Sequence, residues 1–531
     1  MPISSLLLTL TPIAVIILML VVWKKPADIS GIVGWIVISV IALLFFRTSL
    51  EVIFRSTIAG GVKSFTVSLV VATSLLQMAF MEKTGALRRV IIFIKTIASD
   101  NRAVQIMLIN IGFGTLMVSV GATPVSLLPP IMLALGYSTY VSIALPCIGY
   151  DALCTYALLG APVVVFVDMA NSFLGKGHEI SLSQAGSVFF MFLPIISTLI
   201  GFCMLWIVGR WQGIKDGWLP CLITGAVITF VSYFTNKVDR LVVLTGIMCG
   251  AAVIIAMVFY LLATGKKVID KSRLTAEELE YEKNYSLWKA LTPWGLLIVL
   301  ILALNLPTDM FNFLYRKVTL PITGLSADGK PIMTRALWNA YTWIFVSTFL
   351  SMAFIKPTSS QLKETFKVWW KRAPRPVFAV VIFFSIGEIM NFSGFDMATN
   401  KFVVASMVQV LANFSSQIFS NAYGSVVAFI GLLGGFITGS EASTIAMFSM
   451  YTMKTASLLH IGLEGMLIVT AGLAFGGGLA SVISPAKLQN AAAAIDKMGE
   501  ETKAIRIAFV FSLILIAVTT ALVMGFLRIY T

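Results

Sequence analysis

The sequence predicts an all-α, polytopic membrane protein of roughly 12 to 14 transmembrane helices, arranged as two inverted-type repeats that contain broken or re-entrant helices. Three observations predict it. Of the 531 residues, 58% are hydrophobic and 12% charged, against about 25% charged in soluble domains. The mean hydropathy is +0.94, and the shortage of charge extends along the whole chain, so no soluble domain is set off from a single anchor. Finally, two apolar regions, 103–170 and 422–496, are interrupted at similar places by glycine, proline and small polar residues.

Each element follows in order. Clear hydrophobic runs cover about 3–23, 30–46, 64–81, 184–209, 218–235, 241–263, 291–307, 338–356, 376–395 and 505–528, each near the ~20 residues a span requires. The first run has no basic start and no small-residue cleavage site, so it reads as an uncleaved span. Lys24 and Lys25 follow it and favour an outside N-terminus. Three connections are basic: 82–102, with Lys83, Arg88, Arg89, Lys95 and Arg102; 264–290, with Lys266, Lys267, Lys271, Arg273, Lys283 and Lys289; and 356–375, with Lys356, Lys363, Lys367, Lys371, Arg372 and Arg375. The positive-inside rule places them in the cytoplasm, in a multi-pass cell-membrane protein. The loop 264–290 then separates an N-terminal half, 1–263, from a C-terminal half, 291–531. Its "TAEELEYEK" suits a short helix opened by a threonine cap and glutamates.

Parity adds a constraint. If 82–102 and 264–290 share a side, an even number of crossings separates them. The runs 139–170, 184–209, 218–235 and 241–263 already supply four, so 103–136 must enter and leave on one side. Its centre, "SVGATPVSLLPP", would break a continuous helix. A re-entrant hairpin or paired half-helices fits. The stretch "GLLGGFITGSEASTI" (431–445) has the same layout as "GFGTLMVSVGATPVS" (112–126). "LLGAP" (158–162) then follows the first, and "SVISP" (481–485) the second. Interrupted segments at corresponding places in two halves mark a transporter's binding site.

Composition excludes several classes. The net charge of +14 lies in short connections, which speaks for a bilayer and against nucleic acid. Five cysteines lie in or beside apolar runs and read as small core residues; with only His178 and His460, no metal site or cofactor is expected. Walker A, GxSxG and HExxH motifs are absent, so no enzyme is foreseen.

Intramembrane charges therefore carry the functional reading, since each costs about 2.5–3.5 kcal/mol at a helix centre. Glu441, Asp151 and Glu388 are the candidate proton-coupling groups, and Lys487 the basic candidate; Asp396, Lys401 and Lys454 read as interfacial. At the breaks, half-helix N-termini expose unpaired N–H groups that hold carboxylates. Gly121, Ala122, Thr123 and Pro124 form the first break, and Gly439, Ser440, Ser443 and Thr444 surround Glu441 at the second. An anion site beside a protonatable acid points to H⁺ symport; a carboxylate with freed carbonyls equally suits Na⁺. An anion channel is the alternative of a different class, although no selectivity-filter repeat is present.

At these residues the chain resembles the bacterial and archaeal lactate permease family. "GLLGGFITGSEASTIAMF" resembles its Gly-Val-Phe-Leu-Thr-Gly-Ser-Asp-Thr-Ser-Ser-Asn segment, with Glu441 at the aspartate. "SVISPAKLQNAAAAI" is similar to its Ile-Ser-Pro-Gln-Ser stretch, and "MNFSGFD" to its Asn-Tyr-Ser-Gly segment. "GRWQGIKDGWLPCLITG", "EKTGAL" and "DNRAVQIMLINIGFG" also agree. The resemblance covers most of the length. It implies a proton-coupled carrier of L-lactate and related small 2-hydroxymonocarboxylates, and it adds Asn391, Ser393, Gly394 and Ser484 to the substrate-binding candidates. The chain departs from the family at three places. The glutamate of the family's first break falls near Leu116, Asp151 stands in "YDAL" where the family has Asn-Thr-Ala-Pro, and Lys487 replaces a small or polar residue. An added lysine would suit a dicarboxylate.

Overall fold

The computed structural model describes residues 3–97, 101–272 and 274–530; Arg273 of the basic loop lies outside them. It is almost wholly helical. Among the described residues the strands are confined to two small antiparallel hairpins, Pro321–Ile322 with Ile332–Met333 and Phe395–Asp396 with Lys401–Phe402. Eleven helices among the described residues are long and apolar enough to cross a membrane, or up to 12 if the pair Met407–Ser425 and Val427–Thr438, bent by 93°, counts as one span.

The longest helical stretch, Leu182–Thr235, is not one rod. At Arg210 the backbone leaves the helical region (φ 49°, ψ −135°) and the chain reverses. A Cβ on Gly201 would lie 2.6 Å from Cys221 Sγ, and one on Gly225 would lie 2.1 Å from Thr198 Oγ1. These partners step in opposite directions about the turn, so the two arms form an antiparallel hairpin. They correspond to the separate runs 184–209 and 218–235. In lipid, helices associate by packing small residues closely rather than by a hydrophobic driving force. The same device recurs throughout. Gly60 sits against the backbone of Ser385, and Gly431 and Gly435 against Leu473 O and Gly477 O, with no room for a Cβ.

Helices from either side of 264–290 interleave. Leu50–Lys63 packs on Pro374–Phe392, Phe65–Lys83 on Ala340–Ile355, and Ala157–Leu174 on Glu441–Leu458. The three basic connections meet on one face. There, Ala276–Asn284 forms with a complete capping box, in which Glu278 N donates to Thr275 Oγ1 and Thr275 N to Glu278 Oε2. Its glutamates pair with the preceding basic segment: Arg88 with Glu277 (2.5 Å), Lys95 with Glu278 (2.5 Å) and Arg89 with Glu282 (3.1 Å). Arg372 of the third connection reaches Glu82 at 2.6 Å. A second set of ion pairs, Arg316–Asp239 and Arg335–Asp168, both at 2.9 Å, ties together other connections.

Candidate functional site

Two helical hairpins point into the bundle. In the first, the chain runs through Arg102–Ile106, a wide turn at Met107–Phe113 and Gly114–Ser119. It reverses at Gly121 (φ 90°) and returns as Pro124–Ala134. Tyr137 Oη donates to Gln105 Oε1 (2.9 Å), and Asn110 lies against Met132, so the arms are antiparallel and their ends lie together. In the second, Val427–Thr438 reverses at Gly439 (φ 66°) into Glu441–Leu458, and a Cβ on Gly434 would meet Thr444 at 2.5 Å. Only glycine takes such a φ without strain, which is why a glycine stands at each tip.

Two broken spans follow the hairpins. After Thr139–Gly149 comes a tighter 3₁₀ stretch, Tyr150–Tyr156. Leu158, Leu159 and Gly160 then lie in succession in the left-handed region (φ 53°, 56° and 73°). A left-handed conformation costs an L-residue about 1–2 kcal/mol, so the surrounding packing enforces this turn. In the other half, Gly462–Ser481 ends at 482–484, and Pro485–Ala493 restarts with proline in its first turn, where its missing N–H is harmless.

Glu441, the first residue of its helix and 3% exposed, joins these parts. Thr155 Oγ1 donates to Glu441 Oε1 at 2.9 Å across the two halves. Its other oxygen, Oε2, would lie 2.7 Å from a Cβ on Gly478, and a Cβ on Gly439 would lie 3.2 Å from Ser484 Oγ. The Cys154 thiol sits against both Glu441 and Asp151. Asp151 is buried, and neither of its carboxylate oxygens has a hydrogen-bond partner among the described residues. Lys487, half-buried, lies within electrostatic reach of both acids. The result is a buried pocket of polarity with two carboxyls, a thiol and hydroxyls, flanked by one ammonium group. It holds fixed donors and proton-accepting oxygens where water is scarce, the conditions in which they bind most strongly.

The tip's hydroxyls are unequally used. Ser440 Oγ accepts from Ser443 N as the helix cap, Thr438 Oγ1 donates to Ser440 O (2.9 Å), and Thr444 Oγ1 donates to the same carbonyl (2.8 Å). Ser443 Oγ is buried without a hydrogen-bond partner among the described residues. The turn thus fixes Ser440 and Thr444 and leaves Ser443 as a donor.

Other sequence candidates lie apart. Glu388 forms a 2.7 Å ion pair with Lys63. Ser393 Oγ accepts from Met407 N (2.7 Å) and Gly394 N donates to Thr48 Oγ1 (3.0 Å), so this turn caps and anchors a neighbouring helix. Asn391 keeps a side-chain carbonyl oxygen without a partner among the described residues. Gly121 packs on Ser74, and Ala122 and Pro124 are buried, whereas Thr123 and Ser126 are exposed. Gln489 and Asn490 on Pro485–Ala493, which packs on Pro124–Ala134, are exposed as well. Sequence reasoning missed Cys154, Thr155 and Gly478. The available signal was Thr155 four residues after Asp151, where a helical turn would stack them.

The sequence model of the family described as L-lactate permease matches residues 5–530. Over 544 residues the chain is 22% identical to an L-lactate permease of Salmonella typhi, covering 96% of this chain and 93% of that protein. It is also 22% identical to the glycolate permease GlcA of Escherichia coli strain K12, with 97% and 94% covered. Among solved structures it aligns with the YdaH transporter of Alcanivorax borkumensis at 12% identity and a TM-score of 0.46, covering 90% of this chain and 88% of that one.

Proposed function

The chain belongs to the L-lactate permease family, and from that premise we propose that it takes up L-lactate or a related small 2-hydroxycarboxylate by proton symport, in the cell membrane with its basic connections in the cytoplasm. One observation carries the reading: a buried glutamate at a hairpin tip is bonded to the broken span of the other half, Glu441 to Thr155.

The chemistry runs as follows. A carboxylate substrate held by Ser443 Oγ, by the first-turn N–H groups at 441–442 and by Lys487 would be repelled by an ionised Glu441. Protonation removes that repulsion and makes the carboxyl a donor. Substrate and proton therefore enter together, because each stabilises the other's bound form. Asp151, buried beside the Cys154 thiol, is the second proton acceptor. The exposed Thr123, Ser126, Gln489 and Asn490 line a polar approach to the pocket. With a dianion, Lys487 would face the added carboxylate while Ser443 Oγ and the first-turn N–H groups hold the other.

The same oxygens suit Na⁺, and the second buried carboxylate, Asp151, favours that second reading. Proteoliposomes distinguish the two. Uptake of labelled lactate, glycolate and a dicarboxylate is measured with H⁺ and Na⁺ gradients imposed separately. Proton symport requires accumulation with the pH gradient alone. Accumulation with Na⁺ alone overturns proton coupling, and flux that never exceeds equilibration overturns active transport in favour of a channel.

A further inference from the structure

The helix Ser359–Arg372 precedes the span Pro374–Phe392 on the basic face and has three distinct sides. Its inner side, Leu362, Thr365 and Trp369, packs on Phe65–Lys83, with Trp369 Nε1 donating to Ala72 O at 2.9 Å. Lys363, Lys367 and Lys371 are exposed on the outer side, with Glu364 the only acid of this helix. Between these sides stand Phe366 and Trp370, 44% and 72% exposed. Residues 363, 366, 367 and 370 follow helical spacing, so lysines and aromatic rings share one edge. Trp211 and Trp288, also exposed, flank the same face, where Ala103 packs on Gly217 and Ala276–Asn284 docks on Ala86–Lys95. Tryptophans gather at the headgroup level of a bilayer.

Beneath this edge is a shallow apolar groove between three helices. Leu76 and Phe80 line it from one helix, Thr348, Phe349 and Met352 from a second, and Leu362, Thr365 and Phe366 from the third. Arg372 is already engaged by Glu82, whereas Lys363 and Lys371 form no ion pair among the described residues, and Lys367 reaches only Glu364 at 3.8 Å.

We propose that this edge is a binding site for an anionic phospholipid, with an acyl chain laid along the open groove against Phe366 and Phe349 and the headgroup phosphate on Lys363 and Lys367. The charge is complementary, the groove is apolar, and the two lie a side chain apart, as in one lipid molecule. A basic amphipathic helix with aromatic residues at its flank lies in the interfacial plane, and juxtamembrane lysines add attraction to anionic headgroups.

The test is native mass spectrometry of the purified full-length protein with phosphatidylglycerol or phosphatidylcholine. Phosphatidylglycerol is expected to be retained selectively. The triple variant Lys363→Gln, Lys367→Gln, Lys371→Gln is expected to lower its affinity about a hundredfold, with unfolding temperature unchanged. Met352→Trp, which fills the groove, is expected to weaken retention with the lysines intact. Equal retention of the two lipids, or undiminished binding by the triple variant, overturns the proposal. Displacement of the lipid by millimolar inorganic phosphate also overturns it, because a soluble anion would then be the ligand.

Discussion

The two hairpins are built alike in backbone and unlike in chemistry. Each reverses at a glycine with positive φ, Gly121 or Gly439, and each is followed by a broken span. The second tip carries Glu441 and an array of hydroxyls bonded to its own turn. The first carries no acid, and its half supplies a carboxyl one segment later, as Asp151. The second hairpin is also the more tightly seated. A Cβ on Gly435 would lie 2.0 Å from Gly477 O, whereas one on Gly112 would meet the Ile254 side chain at 2.9 Å. Charge is therefore concentrated where the backbone is most closely held, as a preorganised site requires.

The largest effect expected from breaking this comparison is at the acid. Glu441→Gln should lower accumulation driven by a pH gradient at least tenfold while exchange of labelled for unlabelled substrate persists. Thr123→Ala at the other tip should change affinity less than about tenfold, in line with the roughly 0.5–1.5 kcal/mol of a single hydrogen bond. Normal accumulation by Glu441→Gln would remove its coupling role.

Packing comes next. Gly435→Ala forces two helix backbones apart and should cost upward of about 1–3 kcal/mol, read as a lower unfolding temperature in detergent. Gly112→Ala should shift it far less, because a side chain can move aside.

The turns are third. Gly121→Ala and Gly439→Ala each adopt a left-handed φ costing about 1–2 kcal/mol. Gly121→Ala should be the worse, because its Cβ would also meet Ser74 Oγ at 2.3 Å, against 3.2 Å to Ser484 Oγ at Gly439. Adding Ser74→Ala should restore part of the loss in the first case. Equal destabilisation with no rescue would mean that φ alone matters.

The smallest effect lies outside the membrane. Burial works to raise the Glu278 pKa, but the Lys95 ammonium and the Thr275 N–H hydrogen-bonded to it hold it below the ordinary glutamate value. Its contribution to docking Ala276–Asn284 is then fully present above the ordinary value of about 4.3. It is lost as pH falls through the lower folded value. Hydrogen exchange in 276–284 should accelerate over that acid range, and Lys95→Met should shift its onset to higher pH.

Much of this molecule was legible from local pattern. The capping box at Thr275 and Glu278, the glycine tips and the prolines restarting Pro124–Ala134 and Pro485–Ala493 depend on neighbours within one or two turns. The site was only half legible. Glu441 stood out as a charge in an apolar run, but its partner Thr155 is 286 residues away. Glu388 also stood out as a buried charge, and Lys63, 325 residues distant, engages it. Ser393 looked like a ligand group, yet its oxygen accepts from Met407 N.

By itself, then, the sequence determined which segments enter the bilayer and where they break, because the transfer of apolar side chains and the φ of glycine and proline are properties of single residues and their neighbours. Only the tertiary structure decided which buried charges are neutralised and which stay unpartnered. That outcome depends on which helices cross within reach of one another, and close glycine contacts such as Gly435 against Gly477 set those crossings in three dimensions.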